Sequence, residues 1–100
     1  MRLKDKVALV TGAGGGIGAA TARRFAREGA LVAINDAKAD GLDAVAADIR
    51  SAGAKALVIA GDVTRKADCA RMVAQAVETF GRLDILVNNA GSTAMRWRRG

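Results

Sequence analysis

A glycine-rich segment near the N-terminus constrains the fold of this chain more than any other feature. The apolar run before it, residues 6–11, is typical of a short strand buried on both faces. The segment after it, from Ile17 to Glu28, contains helix-forming residues and no proline, and Gly29 stands where that helix should end. A strand, a glycine-rich turn and a helix therefore follow one another at the start of the chain.

The rest of the chain repeats this alternation. Further short apolar runs predict strands at residues 30–35, 55–60 and 83–88. Apolar side chains at helical spacing predict helices at residues 38–52, closed by Gly53, and around Cys69 to Phe80, with Thr64 as N-cap and Gly81 as the end. The order βαβαβαβ with right-handed crossovers predicts an α/β fold, a truncated half of a three-layer Rossmann-type parallel sheet with strand order 3-2-1-4.

Length and composition limit the class of protein. One hundred residues make one small domain, and a 51% apolar content indicates a chain that buries a core. Cys69 is the only cysteine, so no internal disulfide forms, and its place in a helical apolar stripe favours core packing. No apolar run approaches the roughly 20 residues of a membrane span, and the N-terminus lacks a signal peptide's apolar stretch. We expect a cytoplasmic protein without membrane contact.

The formal net charge of +6 raises the question of nucleic-acid binding. Three of the basic residues, Arg96, Arg98 and Arg99, lie in the last five positions. Residues 1–91 carry 13 basic and 10 acidic groups without a basic stripe or interleaved aromatic residues. This pattern is typical of an ordinary solvated surface, so a nucleic-acid partner is not expected.

The glycine turn suggests a phosphate site. A pyrophosphate must approach the backbone at a helix N-terminus, where unpaired N–H groups and the positive end of the dipole meet its charge. Gly12, Gly16 and Gly18 follow a GxxxGxG spacing rather than GxGxxG, and the strand before and helix after them provide the required context. The alternative is that these glycines only make a tight turn between a strand and a helix.

Asp36 ends the second predicted strand, eighteen residues after Gly18. A carboxylate at this point accepts hydrogen bonds from both hydroxyls of an adenine ribose and repels a 2′-phosphate, which predicts NAD rather than NADP as the cofactor. Lys38 would weaken that exclusion, but no arginine stands at Gly15 or directly after Asp36, where Ala37 lies. The alternative role for Asp36 is that of an N-cap for the following helix.

Two motifs resemble those of a known family. The segment from Thr11 to Gly18 (TGAGGGIG) resembles the TGxxxGIG signature of the short-chain dehydrogenase/reductase family, and the segment from Asn88 to Gly91 (NNAG) is similar to its second motif. The resemblance covers residues 3–91. By position it implies these cofactor-binding residues: Gly12, Ala13, Gly14, Gly15, Gly16, Ile17, Gly18, Asp36, Asp62, Val63, Asn89, Ala90 and Gly91.

The resemblance also implies a role for each group. The turn from Gly12 to Ile17 would line the pyrophosphate, Asp36 the adenosine ribose, Asp62 and Val63 the adenine, and Asn89 and Ala90 the ribose region. Two alternatives stay open from the sequence: the asparagines at 88 and 89 stabilise the sheet, or residues 62–63 only form the loop before the third helix.

The family's catalytic residues are missing. Its members move a hydride between a nicotinamide and an alcohol or ketone with a tyrosine, a lysine four residues later and a serine. This chain has no tyrosine and no histidine, and neither Ser51 nor Ser92 lies where the family serine would. We therefore expect no catalytic residues in this chain, and an inactive chain on its own.

Two regions are expected: an NAD(P)-binding Rossmann segment at 1–91 and an irregular basic tail at 92–100, read as a truncation or frameshift end. An internal strand of the family sheet would then become an apolar edge, at residues 85–87, through which the chain would self-associate.

Three functions remain. The first is the nicotinamide-dinucleotide-binding portion of an oxidoreductase of this family. The second is a non-enzymatic nucleotide-binding or interaction module. The third is weak nucleic-acid binding through the arginine tail, which would be salt-sensitive.

Overall fold

The computed structural model describes residues 2–37, 39 and 41–89, together with the backbone of residues 93–96. The strands of this described part are β1 (Val7–Thr11), β2 (Leu31–Asp36), β3 (Ala56–Ala60), β4 (Ile85–Asn88) and β5 (Thr93–Arg96). Its helices are α1 (Gly16–Arg27), α2 (Leu42–Ser51) and α3 (Lys66–Phe80). None of these helices combines the length and apolarity that a membrane span requires.

The predicted sheet is confirmed. Strands β3, β2, β1 and β4 are neighbours in that order and run parallel. The central strand β1 pairs on one side with β2, where Leu9 faces Ala33, and on the other with β4, where Leu9 faces Leu86. Because helices cover both faces of the sheet, every residue of β1 is buried, which explains why its sequence is a continuous apolar run without alternation.

The end of the chain differs from the expectation. Residues 93–96 form β5, which pairs antiparallel with β4 so that Ile85 faces Arg96 and Asn88 faces Thr93. The expectation of an irregular segment is wrong for these four residues, and the outer edge of β4 is paired rather than open. An antiparallel return needs only a short connection, and it satisfies the backbone groups of β4. Residues 92 and 97–100 lie outside the described part.

Two apolar clusters hold the helices to the sheet. On one face α1 and α2 pack against the strands with fully buried side chains, among them Val10, Ile34, Leu42, Val45 and Ile49. On the other face α3 is the one helix of the described part that covers the sheet, and its cluster contains Val7, Leu9, Ile59, Met72 and Leu83. Cys69 is half-buried and packs against this second cluster, as its place in the helical stripe predicts.

Two helix starts differ from prediction. Helix α2 begins at Leu42, not at residue 38, and Gly41 is its N-cap. Helix α3 begins at Lys66 with Arg65 as N-cap, so the prediction of Thr64 as N-cap is wrong. The reason is local competition for a partner: the Thr64 hydroxyl donates to Asp62 Oδ1 at 2.7 Å, within the loop, and leaves the helix uncapped by a side chain.

Candidate functional site

The carboxyl ends of the parallel strands bring the predicted site residues to one edge of the sheet. The glycine-rich loop, residues 12–15, follows β1, and Asp36 is the last residue of β2. The loop at residues 61–65 follows β3, and Asn89 follows β4. In open parallel sheets, crevices that bind ligands lie at this edge. Ala90 and Gly91, also predicted for the site, lie outside the described residues.

The backbone of the glycine-rich loop is fixed by two unusual dihedral angles. Gly12 and Gly16 have φ of 62° and 59°, in the left-handed region that side chains with a Cβ rarely adopt. Between them, the Ala13 amide donates to the Asn35 carbonyl at 2.8 Å, and the Ala13 side chain is fully buried. The loop is therefore held on β2 and turned sharply at both ends.

The start of α1 is open on the side of the loop. Gly15 is its N-cap in an extended conformation, no side chain caps the helix, and its first turn carries no acidic residue. A Cβ added at Gly15 or Gly16 would meet no atom of the described chain within 4 Å, and Ile17 is 77% exposed. The positive end of the α1 dipole thus lies beside open space at Gly15 and Gly16, which suits an anion.

Gly18 has a packing role. A Cβ there would lie 2.1 Å from the Gly12 carbonyl oxygen and 2.9 Å from Asn89 Nδ2. The Asn89 amide donates to the same Gly12 oxygen at 3.4 Å. Gly18 therefore lets α1 approach the loop, and Asn89 links the end of β4 to the loop.

The Asp36 carboxylate lies against the glycine-rich loop. Its Oδ2 accepts a hydrogen bond from the Gly14 amide at 2.9 Å, and its Oδ1 accepts one from the Ala37 amide at 2.8 Å. The alternative role as helix N-cap is wrong, because the N-cap of α2 is Gly41, five residues later, and the helix begins at Leu42. A half-buried carboxylate thus stands beside the open helix N-terminus.

The Asp62 carboxylate organises its own loop. Its Oδ1 accepts hydrogen bonds from the Thr64 hydroxyl at 2.7 Å and the Thr64 amide at 2.9 Å. These bonds, together with the charge of Arg65, outweigh desolvation and lower the pKa of Asp62. The Asp62 amide in turn donates to Asp68 Oδ2 at 3.0 Å. These contacts support the loop role for residues 62–63, and contact of Asp62 and Val63 with an adenine stays a prediction.

Asn88 ties strands together. The buried Thr11 hydroxyl donates to Asn88 Oδ1 at 3.1 Å, which joins the ends of β1 and β4. The sheet-stabilising alternative for this residue is therefore supported by its contact with Thr11.

Asn35 was not among the predicted site residues. This residue is 1% exposed, and its Nδ2 donates to the carbonyls of Ile59 at 3.0 Å and Gly61 at 3.2 Å. The Gly61 amide donates back to the Asp36 carbonyl at 3.2 Å. Asn35 thus fixes the β3 end to the β2 end beneath the site. The sequence signal for this role was a polar residue in an otherwise apolar strand, which indicates a buried side chain with hydrogen-bond partners.

The described residues place backbone amides, the Asp36 and Asp62 carboxylates and the Asn89 side-chain amide at this edge. The described part of the chain contains no cluster of three or more metal-ligating side chains. The Cys69 thiol donates to the Val63 carbonyl at 3.1 Å and lines a small cavity of about 90 Å³ between α3 and the sheet, together with Leu9, Met72 and Leu86. A half-buried thiol engaged with a carbonyl is a packing group.

Known proteins resemble the chain over most of its length. A family model described as short chain dehydrogenase matches residues 6–98, beyond Gly91, where we expected the resemblance to stop. An uncharacterised oxidoreductase of Mycobacterium tuberculosis is 50% identical over 92 residues, 92% of this chain and 35% of that protein. The 2,5-dichloro-2,5-cyclohexadiene-1,4-diol dehydrogenase of Sphingobium indicum is 51% identical over 90% of this chain and 36% of its own length.

Solved structures agree. A short-chain dehydrogenase/reductase of Serratia marcescens superposes with a TM-score of 0.86 at 49% identity, over 89% of this chain and 37% of that one. The glucose dehydrogenase of Caenorhabditis elegans superposes with a TM-score of 0.84 at 41% identity, over 89% of this chain and 39% of that one. This chain therefore spans little more than a third of the length of these relatives, and by sequence and fold it belongs to the short-chain dehydrogenase family.

Proposed function

We propose that this chain binds NAD and forms the cofactor-binding part of an oxidoreductase that transfers a hydride between a nicotinamide and an alcohol or ketone. The observation that carries the proposal is the Asp36 carboxylate bound to the Gly14 amide next to the open start of α1. The start of α1 attracts a diphosphate, and the Asp36 carboxylate accepts hydrogen bonds from ribose hydroxyls. Diphosphate and ribose are the two polar parts of an adenosine diphosphate that such a site would bind.

The residues present fit such a ligand. The open space at Gly15 and Gly16 leaves room for phosphate oxygens close to the backbone, and the exposed Ile17 side chain offers an apolar surface beside it. The bound dinucleotide would supply the hydride acceptor. The chain's own groups would bind and orient it: the loop from Gly12 to Ile17 at the diphosphate, and Asp36 at the adenosine ribose.

Further residues complete the proposed site. We place Asp62 and Val63 at the adenine, because their loop lies at the same edge of the sheet as Asp36. Asn89, with the neighbouring Ala90 and Gly91, would border the ribose region. The bond from Asn89 to the Gly12 carbonyl supports this placement, because it sets the end of β4 against the loop.

Cofactor choice tests the proposal most directly. Asp36 would exclude a 2′-phosphate by charge repulsion, and Ala37 beside it supplies no compensating cation. We expect NAD to bind at least about tenfold more tightly than NADP in calorimetric titrations, a difference of about 1.4 kcal/mol. Asp36→Asn should narrow that ratio.

The exposed Asp43→Asn, which removes the same charge seven residues further along, should leave the ratio unchanged. Equal or tighter binding of NADP to the unmodified chain would contradict the assignment of Asp36.

Turnover is the second measurement. The chain contains no tyrosine, so it lacks the proton donor and acceptor that the family uses, and we expect it to bind NAD without oxidising simple alcohols. Formation of NADH by the chain alone, followed by absorbance, would show that another group performs this step.

A non-enzymatic nucleotide-binding module is the second candidate. The same absence of tyrosine favours it. ADP-ribose separates the two functions: an oxidoreductase part should bind NAD more tightly than ADP-ribose, because the nicotinamide contributes contacts. Equal affinity for both ligands would favour the module.

A further inference from the structure

The backbone conformation at Gly41 does not by itself require a glycine. It is the N-cap of α2 with φ −88° and ψ −13°, a right-handed conformation that any L-residue adopts. A Cβ at this position, however, would lie 1.9 Å from the Gly14 carbonyl oxygen and 2.8 Å from the Gly14 carbonyl carbon. The space that a side chain would need is therefore filled by the backbone of the glycine-rich loop.

The start of α2 has little freedom to move away from this contact. Leu42, the next residue, is fully buried, and so are Val45 and Ala46 one turn later. Interiors are close-packed, so shifting these side chains would open voids in the cluster between α2 and the sheet. The loop at Gly14 is half-buried and borders the open space beside Gly15. A methyl group at position 41 would therefore displace Gly14 rather than α2.

Gly14 is also the residue that meets the Asp36 carboxylate, through the 2.9 Å hydrogen bond from its amide to Oδ2. Its neighbour Gly15 is the N-cap of α1. One residue thus touches α2 with its carbonyl and Asp36 with its amide, and it precedes the open helix N-terminus. A shift at Gly14 would move the carboxylate and the first N–H groups relative to each other.

We propose that Gly41 is a positioning residue of the dinucleotide site: its missing side chain lets the start of α2 press directly on Gly14 and hold the Gly14 amide on Asp36. The expected effect of Gly41 on NAD binding rests on the proposed function. Its expected effect on the Gly14 amide does not, because that effect is measured in the chain without ligand. Binding groups must be held within about half an ångström, and the predicted clash exceeds that.

Gly41→Ala is the test variant, studied in the full chain. Without ligand, we expect the Gly14 amide proton resonance to shift and its hydrogen exchange to accelerate, because its bond to Asp36 is lost. With ligand, calorimetry should show NAD affinity falling by roughly ten- to a hundredfold. Ala44→Ser adds one atom to an exposed position in the same turn of α2 and should change neither measurement.

A double variant identifies the route of the effect. Gly41 acts on the ligand through Gly14 and Asp36, so in an Asp36→Ala background the Gly41→Ala change should cost far less additional affinity than it does alone. Full additivity of the two losses would contradict this route.

The outcomes separate this proposal from the proposed function. If the unmodified chain fails to bind NAD, the function is wrong, and the Gly14 resonance in the ligand-free chain still decides the role of Gly41. An unmoved Gly14 amide in folded Gly41→Ala overturns the proposal. So does a failure of Gly41→Ala to fold in both backgrounds, which would mean that the methyl group conflicts with the core. If Gly41→Ala folds only in the Asp36→Ala background, the proposal is supported, because without the bond to Asp36 the Gly14 backbone can move away from the added methyl group.

Discussion

Asp84 joins the first and last parallel strands through one side chain. Its Oδ2 accepts a hydrogen bond from the Val7 amide at 2.9 Å, and its own amide donates to the Val7 carbonyl at 2.9 Å. Arg82 Nη2 donates to the other carboxylate oxygen at 2.5 Å. Burial penalises the charged carboxylate, but these bonds and the charges of Arg82 and Lys6 outweigh it and lower the pKa of Asp84.

This lowered pKa predicts acid sensitivity. A carboxyl group with a lowered native pKa stabilises the fold fully above its usual range near pH 4, and that contribution is lost as the pH falls through the native pKa. At neutral pH, Asp84→Asn should reduce the free energy of unfolding by about 1–2 kcal/mol. The difference from the unmodified chain should shrink toward about pH 2, as measured by urea unfolding at both pH values.

Asp43→Asn removes an exposed charge in the first turn of α2 and serves as the control for Asp84→Asn; at neutral pH it should cost only the smaller helix-dipole contribution, about 0.3–1 kcal/mol. A constant deficit of Asp84→Asn across this range would mean that the carboxylate charge contributes nothing to stability.

Asn35 predicts a second effect on stability. Replacing it with alanine removes the donor to the Ile59 and Gly61 carbonyls, one of them at a buried site. Leaving such acceptors unpaired should cost about 1–3 kcal/mol of unfolding free energy. Hydrogen exchange should also accelerate first in β3, which lies at the edge of the described sheet beside β2. Thermal unfolding that matches the unmodified chain would show that water replaces the amide at no cost.

At the scale of elements, the turn between β1 and α1 contains two adjacent glycines with different requirements. Gly16 has φ +59°, where a Cβ is strained, whereas Gly15 is extended and borders open space. We expect Gly16→Ala to cost about 1–2 kcal/mol of stability. Gly15→Ser should be neutral or stabilise by a few tenths of a kcal/mol, because serine caps a helix at least as well as glycine. Chemical denaturation of both variants compares the two, and equal losses would contradict the assignment of strain to Gly16.

The elements also show what sequence patterns predict well. The four parallel strands and the three helices follow from apolar runs and helical periodicity, because burial on both faces of a sheet leaves a strong signal in β1. Helix starts were less predictable, since they depend on single polar contacts. The Thr64 hydroxyl had two possible partners, and its bond to Asp62 decided the start of α3.

Contacts between distant segments were the least predictable part of the site. In the sequence, Gly41 lies in a stretch that predicts an ordinary helix. The reason for a glycine at this position is visible only in the structure, where the Gly14 backbone comes close to it. Asp36 was predicted at the site from its position after β2, but its bond to the Gly14 amide needed the fold. Residues 93–96 have no apolar period, so the sequence did not predict their pairing with β4, which only the structure shows.

At the scale of the whole molecule, the two faces of the sheet are covered unequally. Among the residues that the structure describes, α1 and α2 share one face, whereas α3 is the single helix on the other. As a result, Val73, Phe80 and the β4 residue Leu86 are only half-buried, and Val77 is 39% exposed. The self-association that we predicted from the edge of β4 should therefore involve this apolar α3 side instead.

Sedimentation equilibrium measures this association. We expect the apparent mass to rise above the 10.3 kDa of one chain as concentration increases, because apolar surface is removed from water in the contact. Val77→Lys should reduce the association by placing a charge in the contact. Thr79→Lys adds the same charge to an exposed position on another side of α3 and should not. A single chain at every concentration would contradict the prediction.

The position of β1 at the centre of the sheet has a consequence for the order in which the chain folds. β1 and β2 pair across a separation of about one helix, so we expect a β1–β2–β3 unit to form first, from the first sixty residues. The other side of β1 pairs with β4, which follows about 77 residues later in the chain. The hydrogen bond from the Val7 amide to Asp84 spans the same separation. Closing so long a loop is slow relative to local pairing. During synthesis we therefore expect the first strand to emerge early and to remain paired on one side until β4 has left the ribosome.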